Sequence, residues 1–248
     1  MAVIDVHAHV GTGPWLIADQ EALLRAMQRA RIDTAIVSSR LAVASNFAEG
    51  NFKLKAMLEA SPQLLGYLVI NPTYVEQSIA EMRRYLSTPR FVGVKLHPDA
   101  SGQPLDSAAT REVVNAYRRY AKPLLVHVWG SAQVRALETL AAEAPTVKMI
   151  VAHAGGDAFA ECLALATKQL NLFLEPFTGG ADQGKVEEAV AKIGAHRVLF
   201  GTNFPTLNPG VALGLLADAG ISETERAQIL AGNATKLFQF GRASAAEE

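Results

Sequence analysis

Short apolar runs alternate with amphipathic stretches along the whole chain. The runs are Val3–Val6, Thr34–Val37, Leu64–Ile70, Phe91–Leu96, Pro123–Val128, Val147–Ala152, Asn171–Leu174 and Arg197–Phe200. They are continuous rather than alternating and rich in Val, Ile, Leu and Phe. That is the pattern of strands covered on both faces, as in a parallel sheet. Between them apolar residues recur at helical spacing. Val75, Ile79, Met82 and Leu86 share one helix face, as do Leu23, Leu24, Met27 and Ala30, and later Val186, Val190 and Ile193. Ser222 to Glu225 has the form of a capping box, with Ile221 placed as a staple. Pro72, Pro98 and Pro205 fall just after strand ends, where a missing N–H costs no ladder bond.

Successive runs end roughly 22–33 residues apart, enough for one helix and two loops. Eight such βα units within 248 residues predict a closed (β/α)8 TIM-type barrel, a single α/β domain over residues 1–241. Residues 242–248 read as a frayed tail. An open doubly wound sheet is the alternative. It usually has fewer strands and often a glycine-rich phosphate loop, and neither G-x-G-x-x-G nor a Walker A pattern occurs in the chain.

Composition narrows the function. Half the residues are hydrophobic and 19% are charged, which excludes a disordered chain. The formal net charge of −1 gives no electrostatic reason to expect nucleic acid or acidic lipid as a partner. A small molecule is the expected partner, and an eight-helix ring leaves surface for a homodimer. The single cysteine, Cys162, forms no intramolecular disulfide and no cysteine-rich zinc site; it reads as a small buried hydrophobe. The first residues lack the basic and apolar regions of a signal peptide, and no window approaches about 18 uninterrupted apolar residues. A soluble cytoplasmic protein is therefore expected.

The histidines carry the chemistry. His7, His9, His127 and His153 fall at or just past the C-terminal end of a predicted strand, and His97 follows the fourth closely. In a barrel those ends converge on one mouth. His7 and His9, two apart on a strand, point to the same face and can share one ion at about 2.0–2.1 Å. Two hydrogen-bonded histidines at a strand end are the alternative. His127 supplies a third imidazole, and three imidazoles with an open fourth position describe a catalytic zinc-type site. His153 ends the sixth strand as a further ligand, a general base or a hydrogen-bond donor to substrate. Lys95 reads as a substrate-binding ammonium that anchors a carboxylate or phosphate, and His97 as a substrate-binding residue doing likewise or as a loop-packing one. Trp129, two residues from His127, shares its face and can wall the pocket; Trp15 is more often a packed loop residue. Glu175 ends the seventh strand, either as a solvated loop acid or as a functional carboxylate. His196 precedes the eighth strand and reads as structural.

These segments together resemble the amidohydrolase superfamily, closest to its amidohydrolase-2 group of metal-dependent hydrolases and decarboxylases. The resemblance rests on Ile4-Asp5-Val6-His7-Ala8-His9, Gly93-Val94-Lys95-Leu96-His97-Pro98, Leu125-Val126-His127, Val151-Ala152-His153-Ala154-Gly155-Gly156 and Leu199-Phe200-Gly201-Thr202. Ala231 to Phe238 resembles that group's last helix. The resemblance implies a distorted barrel with one divalent ion, zinc first and manganese as alternative, at its mouth. It implies His7, His9 and His127 as ligands and His153 as the imidazole that orients or activates water or substrate. In some relatives a lysine at the place of Lys95 is carbamylated and bridges two metals.

One residue departs from the family. An aspartate usually follows the eighth strand, as ligand and proton acceptor; here Asn203 stands there. An amide can ligate weakly or accept a hydrogen bond, but it is no general base near neutral pH. Asn203 is an introduced block, a natural residue compensated by Glu175 or Asp99, or the mark of a binding protein on an old scaffold. The expected function is hydrolysis of a small, carboxylate-bearing substrate by metal-activated water. The same residues suit non-oxidative decarboxylation of an aromatic or unsaturated acid, and Asn203 keeps open a catalytically impaired or metal-free binder.

Overall fold

The computed structural model describes residues 2–12, 17–178 and 182–240. Seven strands run parallel in sequence order: β1 (Ile4–Thr12), β2 (Thr34–Ser39), β3 (Leu64–Val69), β4 (Phe91–Leu96), β5 (Leu124–Trp129), β6 (Met149–Gly155) and β7 (Leu172–Glu175). A two-residue strand, Ile17–Ala18, pairs antiparallel with the end of β1. Helices cover the outside of the sheet, as the continuous apolar runs require. Their predicted inner faces are the buried ones: Leu23 and Met27 in Gln20–Ala30, Met82 in Val75–Tyr85, Val186 and Ile193 in Lys185–Ile193. Ser222 and Glu225 form the capping box at the start of Glu223–Ala227. Cys162 is fully buried on Phe159–Lys168, and burial pushes its thiol up to about 12. No helix among the described residues is long and apolar enough to cross a membrane. Trp15 and the tail after residue 240 lie outside the described residues.

The eighth predicted strand differs from expectation. Arg197–Phe200 forms no ladder; Val198 makes only an isolated bridge to Leu174. The segment still closes the barrel, by single hydrogen bonds to both sides. Leu199 N–H donates to Leu174 O (2.9 Å), and Val6 N–H donates to Phe200 O (3.0 Å). Further up, Asn203 N–H donates to His7 O (2.7 Å) and His9 N–H to Phe204 O (2.8 Å). The physical reason is that two of its N–H groups are used elsewhere: Val198 N–H donates to Ala195 O (3.1 Å) and Phe200 N–H to Ile229 O (3.2 Å). A Cβ on Gly201 would stand 2.7 Å from Glu175 Cγ and 2.9 Å from His7 Cβ, so this backbone presses directly on neighbouring side chains. A buried carboxylate fastens the seam: Asp5 accepts the Thr202 N–H (3.0 Å), the Thr202 hydroxyl (2.5 Å) and the His7 N–H (2.9 Å). Burial raises the Asp5 pKa to about 6 against the pull of those bonds.

A register shift on β1 decides what faces the barrel mouth. β1 pairs with β2 at Asp5↔Ala35 and resumes at Ala8↔Val37, a bulge of one residue. Below it Ile4 and Val6 pack inside the barrel with Ile36, Tyr67, Leu125, Ile150 and Leu199. Above it Ala8 and Val10 join the outer core under the helices. The extra residue resets the alternation, so His7 and His9 both turn inward on top of the plug that Val6 belongs to.

Candidate active site

The strand ends converge on one pocket of about 240 Å³. β1 supplies His7 and His9, β4 Lys95, the turn after it His97, β5 His127, and β6 His153; the closing segment adds Asn203 and Thr206. Arg40, Val43 and Ala44 come from the short helix that follows β2. Seven residues singled out in the sequence thus meet in one cavity. Glu175 is not a solvated loop acid: it is completely buried, and it sits beneath His7 rather than in the lining. Trp129 is 45% exposed at the rim, its ring 5.8 Å from that of His153 in an edge-on contact. Gly156 makes that seat, since a Cβ there would lie 2.4 Å from Trp129 Cδ2.

Three imidazoles are backed from behind. His7 Nδ1 meets Glu175 Oε2 at 2.9 Å, His9 Nδ1 meets Ser38 Oγ at 2.8 Å, and His153 Nδ1 meets Phe177 O at 3.3 Å. The Nε2 atoms of His7 and His9 then face Lys95 Nζ (2.9 Å) and Asn203 Oδ1 (3.1 Å). The His7 ring lies 5.1 Å from both His9 and His153, centroid to centroid. Glu175 accepts two further bonds, from His153 N–H (3.2 Å) and Phe177 N–H (3.0 Å). These hold the backbone of β6 where His153 (φ 64) and Ala154 (φ 46) adopt the left-handed region that ordinary residues avoid.

His97 and His127 form a separate pair. Their rings stack at 4.0 Å and 10°, and His127 Nε2 lies 3.6 Å from Asp99 Oδ2. Asp99 in turn accepts from Gln133 Nε2 (2.7 Å), whose carbonyl accepts the Trp129 N–H (2.9 Å). Asp99 therefore belongs to the rim, exposed and outside the pocket lining.

Burial sets the charges. It pulls His153 down to about 4, His97 to about 3 and His127 to about 2, with nearby cations adding to the effect. His7 and His9 go the same way, through burial first and Lys95 next. All five rings are neutral near pH 7 and carry one lone pair each, that of His7 facing Lys95 Nζ. Lys95, 1% exposed, is lowered to about 7 by burial against the attraction of Glu175. Burial raises Glu175, opposed by the two backbone donors and Lys95. Among the described residues no carboxylate lines the pocket.

This donor set fits a divalent cation. Ligating histidines typically give their second nitrogen to a carboxylate, hydroxyl or carbonyl, as His7, His9 and His153 do. The Ser38 hydroxyl can accept or donate, so His9 can present Nε2 as a lone pair. The donor atoms of His7, His153 and Glu175 lie within 4.8 Å of one another, as do those of His97, Asp99 and His127. Sequence reasoning passed over Arg40, Ser38 and Asp5. For Asp5 there was a signal, an acid inside an apolar run directly before His7; for Arg40 the only one was its place after a strand end.

The chain belongs to the amidohydrolase family, whose model matches residues 4–240. No curated protein matches the sequence. Among solved structures, a dihydroxybenzoic acid decarboxylase from Polaromonas, with bound manganese and the inhibitor 2-nitroresorcinol, superposes with a TM-score of 0.80. It is 19% identical, over 100% of this chain and 99% of that one. A 2,6-dihydroxybenzoate decarboxylase from Rhizobium is 16% identical over 96% of this chain and 99% of its own, with a TM-score of 0.76. A 5-carboxyvanillate decarboxylase from Novosphingobium aromaticivorans, complexed with manganese and 4-hydroxy-3-methoxy-5-nitrobenzoic acid, is 14% identical over 96% of both chains, with a TM-score of 0.77. These likenesses establish the shared barrel fold.

Proposed function

We propose that the protein is a metal-dependent, non-oxidative decarboxylase of a small aromatic or unsaturated acid. The observation that carries this reading is the pocket's inventory: two cations, Lys95 and Arg40, of which Lys95 can give up a proton, and among the described residues no carboxylate. Hydrolysis needs a group to take the proton of the attacking water. Asn203 is a neutral amide. Glu175 is committed to His7, His153 and Phe177, and Asp99 to Gln133. His153, lowered to about 4, is a weak base. Decarboxylation instead needs a proton delivered to carbon, and Lys95 Nζ holds one at the pocket wall.

His7 and His9, with His127 as the third imidazole implied by the family and His153 beside them, would hold one divalent ion. Manganese stands ahead of zinc because two solved relatives of this fold hold it. When bound, the ion supplies an electrophile for the substrate's oxygen atoms. Glu175 and Ser38 fix the orientation of His7 and His9. With His7 Nε2 engaged as a ligand, Lys95 Nζ would give up its 2.9 Å bond to that atom and would be free to meet substrate. The bond between substrate carbon and carboxylate breaks, its electron pair stays on carbon, and CO2 departs. The Lys95 proton takes up that pair, and solvent reprotonates the amine. A pocket of about 240 Å³, near the lower end of small-molecule sites, suits a single ring.

The test is CO2 release by manganese-loaded protein from a panel of hydroxybenzoates. Release that stops with chelator and in Lys95→Met, with deuterium entering the product ring in D2O, supports the proposal. Turnover of esters, lactones or amides without CO2 release overturns it. Ligand binding by stripped protein with no turnover overturns it too, in favour of a binder.

A further inference from the structure

Arg40 is a charged side chain in this site with no hydrogen-bond or ion-pair partner among the described residues; of its neighbours only His97 also leaves a buried nitrogen, Nδ1, unpaired. It opens the helix Arg40–Ala44 directly after β2, and its side chain lines the pocket beside His9, Lys95 and His97. Its Nε is shut off from solvent and meets no hydrogen-bond partner. Among the described residues no carboxylate stands within ion-pair distance of its guanidinium. Other arginines that reach into the fold are tied down: Arg90 donates to the carbonyls of Leu58, Ser61 and Leu64, and Arg197 to those of Ala166 and Gln169. Arg40 also works against its neighbours, since its charge helps lower His9, Lys95 and His97. An unsatisfied buried donor next to a second cation is an arrangement that folding alone would not keep.

We infer that Arg40 is the carboxylate anchor of the site, and that the substrate carries a second carboxylate, retained through the reaction, which Arg40 holds. The inference rests on the decarboxylase reading. Nε and one terminal nitrogen of a guanidinium form a planar fork that meets both oxygens of a carboxylate. The group that leaves does so as neutral CO2. An ion pair clamped on it would hold back the charge that has to move into the ring, so it would oppose the reaction. A retained carboxylate has no such conflict, and its ion pair orients the ring without resisting the step. The substrate class is therefore a small dicarboxylic acid, with one carboxylate at Arg40 and the other directed toward Lys95 and the histidines.

The experiment is calorimetric binding of two probes, benzene-1,3-dicarboxylate and benzoate, to the manganese-loaded protein. The wild type is expected to bind the dicarboxylate at least about tenfold more tightly, a difference that is large for one added ion pair at a desolvated site. Arg40→Met is expected to bring the two probes within about twofold, and Arg40→Lys, which keeps charge but not the fork, to fall between. The melting temperature of Arg40→Met should stay level or rise, because the substitution removes an unmet donor. Equal binding of the probes by the wild type overturns the inference. So does a preference that persists in Arg40→Met, or a variant that melts several degrees lower with its preference intact, which would make Arg40 structural. Failure of the decarboxylase reading is separable. No CO2 from any acid, with the dicarboxylate preference present and lost in Arg40→Met, leaves the anchor standing without that reaction.

Discussion

His7 Nδ1 stands 2.9 Å from Glu175 Oε2, and neither side chain is exposed to solvent. The same carboxylate receives the backbone N–H groups of His153 and Phe177. One acid at the end of β7 therefore fixes a ring on β1 and the strained end of β6 together. A carboxylate behind a histidine makes the far nitrogen a better electron-pair donor.

Glu175→Gln keeps the volume and loses the charge. Its amide NH2 must face at least one of three donors. Stability should fall by about 1–3 kcal/mol, read by urea denaturation. Manganese affinity, read by calorimetry, should fall roughly 10–100-fold. Unchanged metal affinity would remove Glu175 from the support of the site.

Asn203→Asp puts a carboxylate 3.1 Å from His9 Nε2, where the amide oxygen now lies. Both residues tolerate the backbone conformation there, φ 51. Divalent-ion affinity should rise by at least about tenfold, or about 1.4 kcal/mol. Titration with manganese checks this, and equal affinity of the two forms would place Asn203 outside the ion's reach.

The buried rings make the metal-free fold acid-sensitive. His97, His127 and His153 titrate at about 3, 2 and 4 when folded, against 6.5 when unfolded. Between those values the unfolded chain binds more protons. Their contribution is complete above about pH 6.5 and is lost as pH falls below it, each ring costing up to about 1.4 kcal/mol per pH unit. Lys95 acts in the same sense between about 7 and 10.5. Asp5, raised from 3.8 to about 6, and Glu175, also raised by burial, act oppositely, as two acids against five lowered rings. The urea midpoint of metal-free protein should drop steeply from pH 7 to pH 5. A midpoint that is flat or rising over that interval would falsify the neutral state of the rings.

Gly156→Ala tests the rim. The added methyl would meet the Trp129 indole at 2.4 Å, in a backbone conformation (φ 62) that alanine resists. A cost on the order of 1–3 kcal/mol is expected, together with a shifted tryptophan emission as the ring is displaced. Wild-type stability and emission would show that the seat yields without strain.

Much of this molecule was legible in its sequence, for physical reasons. Runs such as Leu124–Val126 and Met149–Ala152 are apolar throughout because both faces are covered, so their strands needed no context. The clustering of His7, His9, Lys95, His127 and His153 followed from one geometric fact, that parallel strand ends meet at one mouth. Arg197–Phe200 looked the same but forms no ladder, because the Phe200 N–H is taken by the carbonyl of Ile229, a partner that the run itself does not reveal. The bulge before Ala8 also left no mark, since it depends on pairing with β2. Glu175 was ambiguous for want of its partner. Arg40 was missed because a lone arginine after a strand is ordinary until its neighbours are known to offer it nothing.

The seam between β1 and residues 198–204 has a consequence for biosynthesis. Asp5 and Thr202 are 197 positions apart, the largest separation among the side-chain hydrogen bonds of the described residues. A nascent chain emerging from its amino end makes β1 first and completes it last. Until the carboxyl-terminal fifth is released, one edge of β1 stays unpaired, and open edges invite association with other chains. Early termination before Thr202 should thus yield aggregation rather than a smaller soluble barrel, even though seven strands are already present.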